Sequence, residues 1–499
     1  MIIDNDLLSM QQARILAENA CAAQKALALF PQERLDEIVE RIVLAVTPHL
    51  GELAKLSCTE TDGGLWQDKL VKNGFVCTNV FERLGAVRCV GVIAEDRANG
   101  LMDVGVPLGV IAAACPSTSP VSTTIYLTLI AIKSGNAIVF TPHPRAEKSM
   151  KRVLDIMIPA AHEAGLPEGC LTYLDTVTRS GSLELMNHPC VSLLLVSGVP
   201  GLLEAARSTG KPVIYGGTGN GPAFIERTAD IVRAVRDILA SKTFDNGMAP
   251  SAEQSIVVDG CVEREVVQAL EENGAYFMTE VQSLALAEHF FCPLGKRRKG
   301  TMGVSASVLA SRAGFSVPDG TRVLVARRKY VADNDPYSRE LLAPVLALYV
   351  EDDWMHACEK CIELLLHEKN AHTLSIHSQD EEVIRQFALK KPVGRLLVNT
   401  PAAFGGMGAT TNLFPSMTLG SGSAGRGITA DNVSPMNLVY VRKIGRGVRD
   451  GESLLGSARP ADVRPANFGS VERSDNEFHG TDQLHLLERI LKEAIKTIR

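Results

Sequence analysis

Cysteine thiols and serine hydroxyls are the side chains of this 499-residue sequence that could act as nucleophiles. The eleven cysteines are scattered without a repeating frame, which indicates a reducing cytoplasm rather than a disulfide framework. Cys358 and Cys361 form a CxxC pair in a predicted amphipathic helix, and no second CxxC completes a zinc site. We interpret these two thiols as packing or surface groups, and the sequence predicts no metal site.

The loop at residues 244–255, FDNGMAPSAEQS, carries the most information about chemistry. It resembles the active-site loop of the CoA-acylating aldehyde dehydrogenases, in which FDNG, two variable residues, a cysteine, two small residues and EQS follow one another. Pro250 occupies the cysteine position here. Proline offers neither a nucleophile nor an N–H group. Ser251 is adjacent, but a serine nucleophile needs a base within hydrogen-bonding distance, and the sequence assigns none.

The resemblance implies a thiolate that adds to an aldehyde, a hydride transfer to nicotinamide, and a thioester that remains. Ser119 stands where the family has an asparagine that donates to the developing oxyanion. Cys115 is either a displaced nucleophile or, with greater weight, a small core residue. Gly216 stands where hydrolytic relatives have a glutamate base, which favours acyl transfer to CoA over acid formation.

Residues 134–149 resemble the family segment that binds the adenosine half of the dinucleotide. A strand that ends at Phe140 would bring the next residues to the sheet edge where α/β folds bind nucleotides. The following helix would direct its N-terminal amides toward anions. Arg145 is a candidate partner for a phosphate of CoA or NADP, with a solvated surface arginine as the alternative. The candidates in this segment are Thr141, Pro142, His143 and Arg145, and both NAD and NADP remain open.

Two other segments resemble cofactor-binding parts of the family. The turn at residues 197–201 resembles the one beneath the nicotinamide, where glycine lets backbone amides approach the dinucleotide. Glu340 falls where the family has a glutamate that holds the nicotinamide ribose, with a solvated helix-end glutamate as the alternative. The candidates added by these segments and by the Gly216 loop are Ser197, Gly198, Gly201, Gly217 and Glu340.

Apolar runs followed by helical patterns must position these residues. Buried strands are predicted within residues 106–116, 134–142, 190–198 and 211–217, and in a second unit near 254–258, 323–326, 344–350 and 394–399. Alternation of this kind predicts parallel, doubly wound sheets. The family resemblance covers roughly residues 10–445, including the segments 59–73 and 400–435.

We therefore predict an α/β, aldehyde dehydrogenase-like fold with five parts. They are N-terminal helices with a doubly wound Rossmann-type cofactor domain (1–239), an α/β catalytic domain (240–418), a return segment with a small oligomerisation hairpin (419–445), a flexible linker (446–480) and an amphipathic docking helix (481–499).

The last 50 residues change in character. The linker is rich in Gly, Ser, Pro, Asp and Arg, as flexible segments are. In the helix after it, one apolar face is formed by Leu484, Leu487, Leu491, Ala494, Ile495 and Ile498. The tail resembles the encapsulation peptides of bacterial microcompartments, which implies shell proteins as partners. The alternative is that the helix packs on its own body or on a neighbouring subunit.

Charge and hydropathy exclude other classes. The net charge of −6 gives no electrostatic reason to expect nucleic acid. No apolar run reaches the roughly 18 residues of a membrane span, and the N-terminus lacks a signal-peptide pattern. We expect a cytoplasmic protein inside a microcompartment.

The predicted function is that of a CoA-acylating aldehyde dehydrogenase, which would convert a short aldehyde, CoA and NAD(P)+ to acyl-CoA and NAD(P)H as a homodimer or homotetramer. The alternative is a catalytically silent or repurposed paralogue that serves as a structural or regulatory subunit, because the cysteine is missing.

Overall fold

A computed structural model describes residues 4–292, 297–368, 372–449 and 451. Most of the predicted linker and the predicted docking helix at 481–499 lie outside the described residues. Among the helices that are described, none is long and apolar enough to cross a membrane.

The helices are α1 (Asn5–Leu27), α2 (Gln32–Val46), α3 (Leu50–Thr61), α4 (Trp66–Phe75), α5 (Phe81–Gly85), α6 (Pro120–Lys133), α7 (Glu147–Glu163), α8 (Arg179–Asn187), α9 (Pro200–Ser208), α10 (Ile231–Thr243), α11 (Glu263–Glu272), α12 (Glu280–Phe290), α13 (Ala306–Arg312), α14 (Trp354–His367), α15 (Glu381–Lys390) and α16 (Ala402–Gly406). The strands are β1 (Gly91–Asp96), β2 (Leu101–Pro107), β3 (Val110–Ala114), β4 (Ala137–Thr141), β5 (Leu171–Tyr173), β6 (Val191–Ser197), β7 (Val213–Gly216), β8 (Pro222–Ile225), β9 (Ser255–Asp259), β10 (Ala275–Phe277), β11 (Val323–Arg327), β12 (Val345–Glu351), β13 (Thr373–His377), β14 (Arg395–Val398) and β15 (Val439–Gly445).

The first parallel sheet has the strand order β5-β4-β3-β6-β7. Strands β3 and β4 are buried along their whole length because helices cover both faces, so apolar residues fill successive positions rather than alternate ones, up to Thr141 at the end of β4. The order reverses at β3, which places the carboxyl ends of β3 and β6 beside a crevice. The predicted strands at 106–116, 134–142, 190–198 and 211–217 are confirmed.

The second parallel sheet has the order β10-β11-β12-β9-β8-β13-β14. Its residues alternate between two cores: Phe224 packs on one face, while Ala223 and Ile225 pack on the other. The α/β fold with two parallel sheets is therefore confirmed. The domain boundary predicted at 239/240 stays a prediction. It falls within α10, and both α10 and the preceding strand β8 belong to this sheet and its packing layer.

A small sheet joins β1, β2 and β15, with β1 and β2 antiparallel. The chain before β15 folds back on itself, since the amides of Gly420 and Gly422 donate to the carbonyls of Asp431 and Thr429 at 2.8 and 2.9 Å. The predicted hairpin at 419–445 thus has a structural counterpart, while its role in oligomerisation stays a prediction. A second compact unit contains residues 97–100, 445–449 and 451 of the described chain.

Arg395 holds the start of β14 against this folded-back segment. Its guanidinium is 5% exposed and donates to Asn432 Oδ1 at 2.9 Å, to the carbonyl of Ala430 at 2.7 Å and to the carbonyl of His372 at 2.9 Å. Burial lowers the pKa of Arg395 to about 10, against the attraction of Asp431. Arginine suits the position because its planar fork reaches several acceptors at once.

We expect Arg395→Leu to lower the free energy of unfolding by at least about 3 kcal/mol, because several buried acceptors lose their donor at about 1–3 kcal/mol each. Urea unfolding followed by circular dichroism measures this. The control is Arg385→Leu, which removes an exposed ion pair with Glu382 and should change stability by no more than about 0.5 kcal/mol. Equal effects of the two substitutions would contradict the role given to Arg395.

Candidate active site and cofactor cleft

The loop between α10 and β9 is held in a tight conformation by its own residues. Asp245 and Asn246 both have φ of 51°, and Gly247 has φ of 76°. A Cβ on Gly247 would lie 2.6 Å from the backbone of Ala343, so only glycine fits there. The turn itself therefore requires the glycine of FDNG and favours Asp and Asn before it, residue types that tolerate positive φ.

Asp245 is fully buried and its carboxylate is surrounded by donors from α4 and from the turn before it. Its Oδ2 lies 2.5 Å from Lys72 Nζ and 3.1 Å from Lys69 Nζ, and its Oδ1 accepts from the Leu65 N–H at 2.7 Å. Burial, followed by repulsion from Lys72, lowers the pKa of Lys69. Two buried ammonium groups thus share one buried carboxylate, which concentrates positive charge here.

One of these ammonium groups contacts Ser119, the residue predicted to replace the oxyanion donor. Lys72 Nζ donates to Ser119 Oγ at 2.8 Å and to the carbonyl of Thr118 at 3.4 Å. Ser119 is the N-cap of α6, although its side chain makes no capping hydrogen bond. The hydroxyl therefore lies between an ammonium group and the positive end of a buried helix, a setting that favours negative charge on a neighbouring oxygen.

A small pocket of about 60 Å³ lies beside Ser119. Of the predicted residues, it is lined by Ser119, Pro250, Ser251, Ser197, Gly198 and Gly217, together with Gly216. The Ser251 hydroxyl donates to the carbonyl of Ala403 at 3.4 Å, which gives it no base. Within the described residues, the buried Thr123 hydroxyl that lines the pocket has no hydrogen-bond partner, so it is available to a ligand.

Pro250, at the position where the family resemblance predicts the nucleophile, is closely packed. The carbonyl of Pro250 packs on Gly219, where a Cβ would come 1.4 Å from that oxygen. Cys115 does not replace the missing thiol: it is 1% exposed, lies outside the residues that line the pocket, and burial raises its pKa to about 12. At neutral pH such a thiol stays protonated and unreactive.

His372 also lines this pocket, and the sequence analysis did not identify it. Its Nδ1 lies 2.7 Å from Thr373 Oγ1. Burial, with the nearby Arg395, lowers the pKa of His372 to about 3, so the imidazole is neutral at pH 7. A neutral ring can accept a hydrogen bond from a thiol or hydroxyl group, but at this pKa it is a weak base.

A larger cleft of about 770 Å³ adjoins the pocket. Among the predicted cofactor residues it is lined by His143, Arg145, Gly198, Gly201 and Glu340. Pro116, Thr118 and Gly198 line both the cleft and the pocket. A molecule in the cleft can therefore present its end to the pocket beside Ser119.

Charged groups on the cleft wall are already paired in part. Arg145 donates to Ser117 Oγ at 3.1 Å, and burial with Arg145 lowers the pKa of His143 to about 4. Arg297 and Arg339 line the same cleft. These cations on the wall of the cleft are of the type that binds the phosphates of a dinucleotide or of CoA, although Arg339 already pairs with Glu368 at 3.2 Å.

Glu340 is 4% exposed, and its Oε1 accepts from the Gly219 N–H at 2.7 Å, while its Oε2 lies 4.0 Å from Arg297. Burial raises the pKa of Glu340 to about 7, against the attraction of Arg297. A fixed carboxylate at the cleft end is suited to accept hydrogen bonds from ribose hydroxyls.

A third cavity, of about 220 Å³, lies at the end of β4. It is lined by Thr141, Pro142, His143 and Gly201, together with other residues of the first sheet edge. The Thr141 hydroxyl lies 2.7 Å from Ser182 Oγ. The structure thus brings the predicted adenosine-side residues to one sheet edge; their role as cofactor ligands stays a prediction.

The sequence analysis missed Lys69, Lys72, Asp245, Arg297 and His372. Lys72 and Asp245 lie 173 positions apart, so nothing local connects them. A weak signal existed, because two lysines three residues apart on α4 are followed by asparagine in a segment that already resembled the family. Among the described residues, no cluster of ligands that could hold a metal ion is present.

The two parallel sheets, with a cleft that adjoins the small pocket beside Ser119, form an α/β fold of the aldehyde dehydrogenase type. Comparisons with known proteins identify the family. Residues 2–280 match the model of the Aldehyde dehydrogenase family. The chain is 31% identical over 430 residues to a succinate-semialdehyde dehydrogenase (acetylating) of Clostridium kluyveri, covering 86% of this chain and 94% of that one. It belongs to the aldehyde dehydrogenase family, on the CoA-acylating branch.

Two further relatives differ in how much of their length this chain covers. An aldehyde-alcohol dehydrogenase of Streptococcus pneumoniae is 37% identical over 413 residues, which are 81% of this chain and 47% of the relative. The chain therefore spans about half the length of that relative. The crystal structure of a probable aldehyde dehydrogenase from Listeria monocytogenes is 45% identical, with a TM-score of 0.88 over 91% of this chain and 100% of that one.

The raised pKa of Glu340 predicts a pH effect on stability. Because the folded state binds a proton more tightly than the unfolded state, whose value is near 4.5, this group's contribution falls as pH rises from 4.5 through about 7. Glu340→Gln should reduce that fall, measured as the free energy of unfolding at pH 5 to 8 in steps. Glu340→Asp, which keeps a carboxyl group, should retain most of it. Identical pH profiles for wild type and Glu340→Gln would refute the assignment.

Proposed function

We propose that this chain is an oxidoreductase of the CoA-acylating aldehyde dehydrogenase type, which acts on a short aldehyde, CoA and NAD(P)+. The observation that carries the proposal is the shared wall of the cleft and the pocket, formed by Pro116, Thr118 and Gly198. It lets a nucleotide in the cleft meet a carbonyl carbon in the pocket.

Solved relatives support the choice of cofactors. A Rhodopseudomonas palustris propionaldehyde dehydrogenase, 25% identical, was crystallised with bound CoA and an acylated cysteine. An engineered glycolyl-CoA reductase, also 25% identical, was crystallised with bound NADP+. In this chain, Arg145 and Arg297 would hold phosphates and Glu340 would hold a ribose. A bound nicotinamide would supply a hydride acceptor, and bound CoA would supply an acceptor for the acyl group.

Three residues of the pocket have different consequences for the proposed reaction. Ser119, polarised by Lys72, would donate to the aldehyde oxygen as negative charge develops on it. Gly216 supplies no base to activate water, and an added Cβ there would lie 3.1 Å from Thr418 Cγ2. The pocket therefore disfavours hydrolysis. Pro250 supplies no thiol, and no cysteine is present among the described residues that line the pocket, so the covalent step has no thiol nucleophile there.

Pro250 favours a second candidate function. A chain that binds NAD(P) and CoA without forming a thioester would serve as a catalytically silent or repurposed subunit of a homo-oligomer. Initial rates of NAD(P)H formation with C2–C4 aldehydes, with and without CoA, distinguish the two candidates. CoA-dependent turnover by the wild type supports the enzyme, and its absence together with calorimetrically detected cofactor binding supports the silent subunit.

We further propose that the protein resides in the cytoplasm inside a bacterial microcompartment, with residues 481–499 bound to shell proteins. The apolar stripe in the sequence supports this, since an amphipathic helix binds in a groove of a partner. A linker of about 35 residues has a typical reach of roughly 30–35 Å. One solved relative comes from the fucose utilisation microcompartment of Clostridium phytofermentans.

Pro250→Cys should raise CoA-dependent aldehyde oxidation by at least about 1000-fold, because loss of a covalent nucleophile costs up to about 10⁶-fold and the surrounding loop is intact. Stopped-flow absorbance of NAD(P)H with acetaldehyde and propionaldehyde measures it. Ser251→Cys is the matched control: it places the same thiol one position later, beside the Ala403 carbonyl, and should gain little.

Cofactor binding gives an independent readout for that experiment. Wild type and Pro250→Cys should both bind NAD or NADP, as measured by calorimetry at millimolar concentration. A folded Pro250→Cys variant that binds cofactor and stays inactive would show that the pocket has diverged beyond one residue. Failure of both proteins to bind either dinucleotide would overturn the proposed function itself.

Deletion of residues 447–499 should leave cofactor binding intact and abolish co-purification with shells, and a fluorescent protein fused to this segment should enter shells. Leu487→Asp with Leu491→Asp in the fusion should abolish entry because both changes charge the apolar face. Glu488→Gln with Lys492→Gln, on the opposite face, is the control. A fusion that stays diffuse while shells assemble would favour packing of the helix within the oligomer.

A further inference from the structure

The CxxC helix contains a contact that the proposed function does not use. Lys391, at the end of α15, is 8% exposed, and Cys358 on α14 is 3% exposed. Lys391 Nζ donates to the carbonyl of Cys358 at 2.7 Å and lies 2.6 Å from its Sγ. The ammonium group also lies 4.2 Å from the centre of the Phe387 ring, which leaves it little freedom to move.

The nitrogen–sulfur distance is unusual within this protein. Six hydrogen-bonded sulfur atoms elsewhere in the described part of the chain lie 3.3 to 3.7 Å from their partners, namely those of Cys58, Cys89, Cys115, Met150, Cys261 and Met302. A large, soft sulfur atom makes long hydrogen bonds, so 2.6 Å is too close for a simple N–H···S contact. A single oxygen atom bonded to both nitrogen and sulfur spans such a separation.

We propose that Cys358 and Lys391 form a reversible covalent bridge in which one oxygen atom joins the cysteine Sγ to the lysine Nζ. The bridge is an oxidative modification, and its two ends are already held in position in the fold. It does not depend on the reaction in the aldehyde pocket.

Dioxygen is the oxidant that balances the step. The thiol and the neutral amine each lose one hydrogen, one oxygen atom of dioxygen enters the N–O–S linkage, and the other leaves as water. If the lysine begins as an ammonium group, it releases one proton to solvent. Nitrogen and sulfur are each oxidised by two electrons, which together reduce both oxygen atoms. Four thiol equivalents reverse the reaction, giving amine, thiol, water and two disulfides.

Cys361 is the competing partner for Cys358. It lies one helical turn further along α14 and is fully buried. Burial raises the pKa of Cys361 to about 12, so this thiol stays protonated at neutral pH. Lys391, by contrast, is in direct contact with Cys358 Sγ. The geometry therefore favours the lysine bridge over a disulfide within the CxxC pair.

A bridge at this place would join two helices that flank the second sheet. Helix α14 extends to His367, which lines the cofactor cleft, and the carbonyl of its Leu364 accepts from Asn220 Nδ2 at 3.0 Å. The link closes a loop of 33 residues. Thermal unfolding should therefore occur at a higher temperature in the oxidised protein than in the reduced one.

Peptide mass spectrometry of the full chain after incubation in air-saturated buffer tests the proposal. We expect a cross-linked pair of peptides that contain Cys358 and Lys391, heavier than their sum by one oxygen atom less two hydrogen atoms. Dithiothreitol should remove the cross-link and lower the unfolding temperature. Cys358→Ser and Lys391→Arg should each abolish it.

Two matched variants should keep the bridge. Lys390→Arg alters the exposed neighbouring lysine, and Cys361→Ser removes the competing thiol. A product lighter by two hydrogen atoms that joins Cys358 to Cys361 would overturn the proposal in favour of a disulfide. So would a cross-link that survives Lys391→Arg, or an air-treated wild type in which both peptides stay unmodified.

Discussion

The buried carboxylate of Asp245 is the constraint on which the site depends. Because the carboxylate is removed from water, its negative charge must be compensated. The compensation comes from Lys69 and Lys72 on α4 and from a backbone N–H group. These contacts fix the start of the active-site loop against the N-terminal helices. They also place the Lys72 ammonium group within hydrogen-bonding distance of the Ser119 hydroxyl. One requirement, neutralising a buried charge, thereby determines both the position of the loop and the electrostatics of the pocket.

Binding and covalent chemistry are separable in this fold. The cleft is built from strand ends, glycine turns and a fixed glutamate, and Pro250 is not among the residues that line it. The loop around Pro250 is held by Asp245, by Gly247 against Ala343, and by Glu253, whose Oε1 accepts from the Ala402 N–H at 2.9 Å. The architecture of the family is thus present in a chain that carries proline at position 250.

Much of the fold was predictable from sequence, since the central strands are apolar along their length. The runs that became β3, β4, β6 and β7 are of this kind. Strand β8 was missed because Pro222 begins it and glycines precede it, which locally indicates a loop; pairing with β9 and β13 makes it a strand. In the site, residues adjacent in sequence, such as 141–145 and 197–201, could be grouped, whereas His372 could not.

By itself the sequence determined the strand–helix alternation, the parallel sheets, the glycine turns and the presence of proline at position 250, because each depends on residue type and local spacing. Only the tertiary structure decided that Lys72 lies against both Asp245 and Ser119, that Cys115 is buried away from the pocket, and that Lys391 contacts Cys358. Those facts depend on which distant segments are packed together, and the energy of a buried charge or thiol is set by neighbours that the order of residues does not name.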